Sequence, residues 1–269
     1  MRHPFFAIPR PIAIGHRGSA GDAPENTLPS FARALEAGAA ILESDVHLTR
    51  DGVPVLIHDD EVSRVTEGSG SVGALELAEL QRLDAGFRYS PDAGRSHPFR
   101  GRGLRIPTLA EAFEAFPAAR FNLELKQDLP GIVERTLEVV RAARREELTL
   151  LTSADDALMA RLRSVLAREA CDVALGASTG DVLDFVRTAL SGERPRPGPM
   201  ALQIPAEFAG RPLATRELVR HAHAHAVQVH VWTVNEPAEM ERLLDLGVDG
   251  IVSDHPARAA RVCRARAGA

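Results

Sequence analysis

Short apolar runs recur along the chain at 12–15, 40–46, 53–57, 120–125, 148–152, 173–176, 200–204, 227–234 and 250–253, and most intervals between them carry helical periodicity. That alternation constrains the fold more than any other feature, because strands and helices in regular succession argue for a parallel sheet, open or closed. Leu28, Phe31 and Leu35 stand at helical spacing, with Pro29 in the first turn and Gly38 as a stop. Thr108 and Glu111 form a T-x-x-E capping box opening a helix to about Phe116, and further helices are expected over 131–145, 154–169, 213–226 and 236–246. One interval is different: Asp51-Gly52 separates two runs by too few residues for a parallel crossover, so 40–48 and 53–58 are expected to form a hairpin that brings His58 beside Asp45. Setting aside its return strand leaves eight parallel strands, which in 269 residues suits an α/β fold of the TIM-type (β/α)8 barrel. An open doubly wound sheet is the alternative.

The whole chain, 1–269, reads as a single barrel domain. The stretch 59–107 breaks the rhythm with Gly68, Gly70 and Gly73 and a short helical piece near 75–83, and reads as an inserted subdomain or capping region. Ser191–Pro199, with three prolines, reads as a linker. A net charge of −5 disfavours a nucleic-acid binder, which needs a basic excess against phosphates. Pro4, Pro9 and Pro11 interrupt the start where a secretory signal needs an unbroken apolar stretch, so a cytoplasmic location without stable membrane insertion is expected. Cys171 and Cys263 lack metal-site or disulfide spacing and read as inert thiols. No sequence signal fixes the oligomeric state.

His16, Glu43, Asp45, His58 and Glu124 each close a short apolar run, and polar groups placed there mark a site. On a strand, Glu43 and Asp45 share a face about 6.6 Å apart, which suits two oxygen donors converging on a hard divalent cation, with Glu124 as a third. Carboxylates without thiolate favour Mg2+ or Ca2+, with Mn2+ also suited. His16 and His58 are natural partners for acid and base work near neutrality. Arg17 follows His16, Lys126 shares a strand face with Glu124, and either can grip phosphate oxygens. Three carboxylates, one divalent cation, Arg17, Lys126 and one phosphodiester balance to neutrality with both histidines uncharged.

Together, His16-Arg17-Gly18, Pro24-Glu25-Asn26-Thr27, Glu43-x-Asp45, Asp51-Gly52, His58-Asp59, Glu124-x-Lys126 and Trp232-Thr233-Val234-Asn235 resemble a glycerophosphodiester phosphodiesterase, in order, from about residue 12 to 256. The resemblance implies a TIM-type barrel with an inserted subdomain, and hydrolysis of a small-molecule glycerophosphodiester to sn-glycerol 3-phosphate and an alcohol. Carried over, it implies Glu43, Asp45 and Glu124 as metal ligands, His16 and His58 as acid and base, and Arg17 and Lys126 as phosphate contacts. Trp232, the only tryptophan, offers a flat apolar face at a strand end, and Gln203 a polar contact at another. Departures from the family pattern are Ser253-Asp254-His255-Pro256 and Thr152-Ser153-Ala154, which bear on pocket shape and the alcohol preferred. Two other readings remain open here: a lysophospholipase D, and a catalytically silent barrel that binds glycerophosphodiesters. Glu25, Asn26 and Thr27 are read as caps of the first helix, and His221, His223 and His225 as a solvent-facing stripe.

Overall fold

Runs rich in Ile, Leu and Val are buried on both faces, the setting in which parallel strands are found, and the computed structural model, which describes residues 3–126 and 129–267, closes them into a barrel. The strands are β1 (Ile12–Gly15), β2 (Ile41–Leu48), β3 (Pro54–Leu56), β4 (Arg120–Leu125), β5 (Thr149–Thr152), β6 (Ala174–Leu175), β7 (Ala201–Pro205), β8 (Glu207–Phe208), β9 (Arg211–Pro212), β10 (Gln228–Trp232) and β11 (Gly250–Ser253). With β3 and the β8–β9 hairpin set aside, the parallel strands neighbour one another in the order β6, β5, β4, β2, β1, β11, β10, β7. The two ends of that order meet where the Met200 N–H donates to the Leu175 carbonyl at 2.8 Å. The expected barrel is therefore the fold, and the open sheet is excluded.

Ile12, Ile14, Ile41, Leu150, Ala174, Ala201 and Val252 form one buried cluster with Phe5 and Phe6, which precede β1. Their strand neighbours Leu42, Leu123, Leu151, Leu202, Val229 and Ile251 pack instead with the helices, as the two-residue strand period requires. Those helices are α1 (Leu28–Glu36), α2 (Leu77–Leu80), α3 (Leu109–Ala115), α4 (Ile132–Ala142), α5 (Asp156–Glu169), α6 (Thr179–Ser191), α7 (Arg216–Ala224), α8 (Pro237–Leu246) and α9 (Pro256–Ala267). Thr27 caps α1, and Thr108 with Glu111 makes the expected capping box of α3. Two helices escaped the sequence reading. α6 opens on a Ser178–Asp181 box instead of the S/T-x-x-E/Q pattern, and α9 carries scattered arginines that blur its apolar face.

The hairpin forms, but one residue out of the expected register. Val46 pairs with Leu56, His47 with Val55 and Leu48 with Pro54, so Asp45 faces Ile57, whose N–H reaches the Asp45 carbonyl at 3.1 Å. The turn is centred on Asp51, not between Asp51 and Gly52: Gly52 donates to the Thr49 carbonyl and lies at φ +78°, so three residues form the loop. His58 is thus carried beyond the ladder and is not the cross-strand partner of Asp45.

Between β3 and α3, Val62, Val72, Leu80, Ala85 and Ile106 pack on Val55 and Ile57 of the hairpin. The loop after α6 is fastened, since the Arg196 N–H donates to Asp184 at 2.7 Å and Pro195 is buried. Cys263 is buried, which pushes its thiol up to about 11.

Opposite the polar strand ends, buried Asp249 accepts from Arg10, from His223 Nε2 at 2.7 Å and from the Val229 N–H at 2.8 Å. The three histidines of α7 are therefore not simply a solvent-facing stripe: His223 holds Asp249, and His221 bonds Thr188 at 2.9 Å and packs on Phe185. Burial works to raise the Asp249 pKa, but its hydrogen bonds to Val229, His223 and Arg10 outweigh that and hold it below the ordinary 3.8. A depressed carboxylate contributes stability that is full above its unfolded pKa and is lost as pH falls through the folded one. Asp249→Asn is expected to cost about 2 kcal/mol at pH 7, lowering Tm by ~5 °C. In thermal melts the gap between parent and variant narrows below about pH 4; a gap unchanged by acid is the result against this account.

Candidate active site

The site begins in the loop that follows β1. Arg17 (φ 49°) and Asn26 (φ 55°) are both left-handed there, a conformation costing roughly 1–2 kcal/mol for a residue with a Cβ. Polar contacts offset that cost. The Arg17 N–H donates to Glu43 Oε2 at 2.9 Å, while Asn26 donates to Asp45 Oδ2 at 2.9 Å and accepts from Ser44 Oγ at 2.6 Å. Gly18 is required where it stands: at φ +86°, a Cβ would lie 2.5 Å from Ser30 Oγ and 2.9 Å from the Phe31 nitrogen.

Glu43 and Asp45 come from β2, and the β2–β4 register sets Asp45 directly beside Glu124. Lys126 Nζ bridges the latter pair, 2.9 Å from Glu124 and 3.4 Å from Asp45. Burial works to lower the Lys126 pKa, but Asp45 and Glu124 raise it above its usual value. The Arg17 guanidinium lies 2.9 Å from Glu25 and 3.5 Å from Asp45. Both cations thus neutralise carboxylates at the strand ends, the counter-ion role open to any salt-bridge network.

His16 and His58 are each oriented by a carboxylate. His16 Nδ1 bonds Asp254 Oδ1 at 2.6 Å; Asp254 is held in turn by Asn235 Nδ2 at 2.7 Å. Burial works to lower the His16 pKa, but the Asp254 hydrogen bond and the Glu43 charge carry it above its ordinary value. His58 Nδ1 bonds Asp59 Oδ1 at 2.6 Å, and its carbonyl accepts from His47 Nε2 at 3.0 Å. Each ring is therefore held through Nδ1, with no hydrogen bond to Nε2 among the described residues, an arrangement suited to an acid or base with a positioned tautomer.

Glu43 is short of positive charge. Burial, then the Asp45 carboxylate beside it, pushes its pKa up to about 7 against the pull of His16 and Arg17. Glu43 and Asp45 on one strand face, with Glu124 adjoining Asp45, are oxygen donors of the kind that a hard divalent cation takes. Among the described residues no three His, Cys, Asp or Glu side chains are gathered as a metal cage; Lys126 supplies the charge between Asp45 and Glu124 instead.

Two cavities flank Lys126 and Glu124. One, of about 700 Å³, is lined by His47, His58, Asp60, Ser71 and Lys126. The other, of about 320 Å³, is lined by Glu124, Thr152, Leu183, Gln203, Phe208 and Trp232. Gln203 donates to Asn122 at 3.1 Å while its buried Oε1 has no partner among the described residues. Trp232 is 44% exposed, Leu183 60% and Phe208 69%, so this wall is apolar and open. Every residue singled out at the strand ends falls in this one region.

Four contributors were missed. Glu25 and Asn26 are not merely caps, because they hold Arg17 and Asp45. Asp254 and Asn235 orient His16; the sequence reading places both only within motifs, Trp232-Thr233-Val234-Asn235 and Ser253-Asp254-His255-Pro256, with no role assigned.

A barrel with its titratable and charged groups gathered at the carboxyl ends of its strands is built as an enzyme. Residues 16–258 match the glycerophosphoryl diester phosphodiesterase family, and the chain belongs to that family of hydrolases. A glycerophosphodiester phosphodiesterase from Caldanaerobacter subterraneus subsp. tengcongensis is 33% identical over 253 residues, 91% of this chain and 94% of that one. A lysophospholipase D of Homo sapiens is 29% identical over 272 residues, 91% of this chain and 83% of that one. Among solved structures, a phosphodiesterase of Oleispira antarctica in complex with the product sn-glycerol-3-phosphate is 28% identical, covers 94% of this chain and 96% of its own, and superposes with a TM-score of 0.74.

Proposed function

We propose that this chain hydrolyses glycerophosphodiesters to sn-glycerol 3-phosphate and an alcohol, in a reaction that depends on a divalent cation and on paired histidines. The observation that carries the reading is the convergence of two carboxylate-held histidines with Arg17 and Lys126 on the strand ends that bear Glu43, Asp45 and Glu124. Family membership and the product bound by the Oleispira relative agree with it.

Glu43, Asp45 and Glu124 are the residues to hold the cation, which when bound supplies positive charge against the charge growing on the phosphoryl oxygens. Arg17 and Lys126 hold the diester and add to that stabilisation. One histidine takes the proton from the attacking oxygen, and the other gives a proton to the oxygen of the departing alcohol. If the glycerol 2-hydroxyl attacks, the P–O bond to the alcohol breaks as a cyclic phosphate forms, and water then opens the ring with the histidines' roles exchanged. Direct attack by water gives the same products in one step.

The apolar wall of Leu183, Phe208 and Trp232 favours a second reading, a lysophospholipase D whose substrate retains an acyl chain. One assay separates them: release of glycerol 3-phosphate from a panel of glycerophosphodiesters, beside release of choline from lysophosphatidylcholine. Turnover of the short diesters supports the first reading. Turnover confined to the lysolipid replaces it with the second, and silence on both sides leaves a binding barrel.

A further inference from the structure

Arg64 stands in a short 3-10 turn, Val62–Arg64, between β3 and α3, and touches neither histidine nor the strand-end carboxylates. Its guanidinium nonetheless closes a circuit. Nη1 donates to Glu25 Oε2 at 2.8 Å and Nη2 to Glu25 Oε1 at 2.7 Å, a two-pronged pair. The same Glu25 Oε1 accepts from Arg17 Nη1 at 2.9 Å, and Arg64 Nε donates to Asp59, whose other oxygen holds His58. From Arg17 to His58 the chain of contacts runs through Glu25, Arg64 and Asp59 without a break.

We propose that Arg64 is a positioning residue that fixes the phosphate-gripping Arg17 and the ring of His58 in one mutual geometry. Only a planar fork can do this, since three of its nitrogens are engaged with two carboxylates from different segments; a lysine ammonium can neutralise them but cannot hold both in fixed directions. An isolated exposed ion pair is worth little to stability. Here the Arg64–Glu25 pair is bidentate and networked with Asp59, so the circuit braces this part of the structure as well as the two side chains that it joins, and the test below separates the two. It also gives 59–107 a task at the strand ends, as the source of the group that binds the two halves of the site together.

The kinetic arm of the test rests on the phosphodiesterase reading; a spectroscopic arm does not. Arg64→Ala is expected to lower kcat about ten- to a hundredfold with KM changed less than about twofold, and Arg64→Lys to recover part of the loss. Glu25→Gln combined with Arg64→Ala is expected to be no worse than the poorer single variant, because both cut one circuit. Without substrate, the imidazole nitrogen resonances of His58 are expected to move in Arg64→Ala while those of His16, held by Asp254, stay in place. Unmoved His16 resonances also report an intact fold, and Arg64→Gln serves if the alanine variant does not fold. Unchanged kcat, a loss confined to KM, additive effects or unmoved His58 resonances overturn the proposal. If the parent shows no turnover, the functional reading fails while the His58 spectrum still decides the role of Arg64.

Discussion

His58→Ala and His16→Ala are each expected to lower kcat by roughly two to four orders of magnitude, the range that a positioned acid or base contributes. The expectation follows from the way both rings are held. Nδ1 is engaged by Asp59 or Asp254, and on the proposed mechanism Nε2 is the ring nitrogen that meets substrate. Neither residue belongs to the apolar clusters, and both are partly exposed, so thermal melting is expected to shift by only a few degrees. Steady-state kinetics with calorimetry on the same samples provides the check. A variant that keeps near-parental kcat is not missing its acid or base, and either result of that kind would falsify the paired-histidine mechanism.

Chelation of divalent cations is expected to produce the second large effect. Dialysis against EDTA is expected to abolish turnover, with Mg2+, Ca2+ or Mn2+ restoring it, and Glu43→Gln is expected to weaken cation binding by at least ~100-fold, or about 2.7 kcal/mol, in titration calorimetry. Glu43 is the position of choice because its carboxylate already lacks compensating charge, crowded by burial and by Asp45. The amide is nearly the same size, so packing is preserved while the carboxylate charge is lost. Full activity in EDTA removes the cation from the mechanism altogether. Binding by Glu43→Gln that matches the parent moves the ligand role elsewhere.

What could be read from the chain was whatever depends on local period. β1, β2 and β4 announce themselves as apolar runs, and the polar residue that ends or follows each is conspicuous because it interrupts the pattern. The hairpin was legible from Asp51-Gly52, but its register depends on whether two or three residues make the loop, and the difference moves His58 off Asp45. Helix α6 was hidden because its first turn, Thr179-Gly180-Asp181, is polar and glycine-bearing. The partners of the strand-end polar groups were hidden for another reason. Asn26 meets Asp45, Arg64 meets Glu25 and Asn235 meets Asp254 across 19 to 39 residues, and a pairing between distant loops leaves no trace in any window of sequence.

The barrel wall is not uniform around its circumference. β1, β2 and β4, which precede or carry His16, Glu43, Asp45 and Glu124, are laddered to one another, the β2–β4 pairing running from Ile41 and Arg120 to Val46 and Leu125. On the far side β6 is only Ala174–Leu175, and it is tacked to the start of β7 by the Met200 amide. The apolar lobe with Ala177, Ser178, Gln203 and Ile204 lies over that seam. The longest ladder of the ring thus lies under the charged strand ends and its sparsest seam under the apolar cavity, so two chemically different walls rest on differently braced stretches of one barrel.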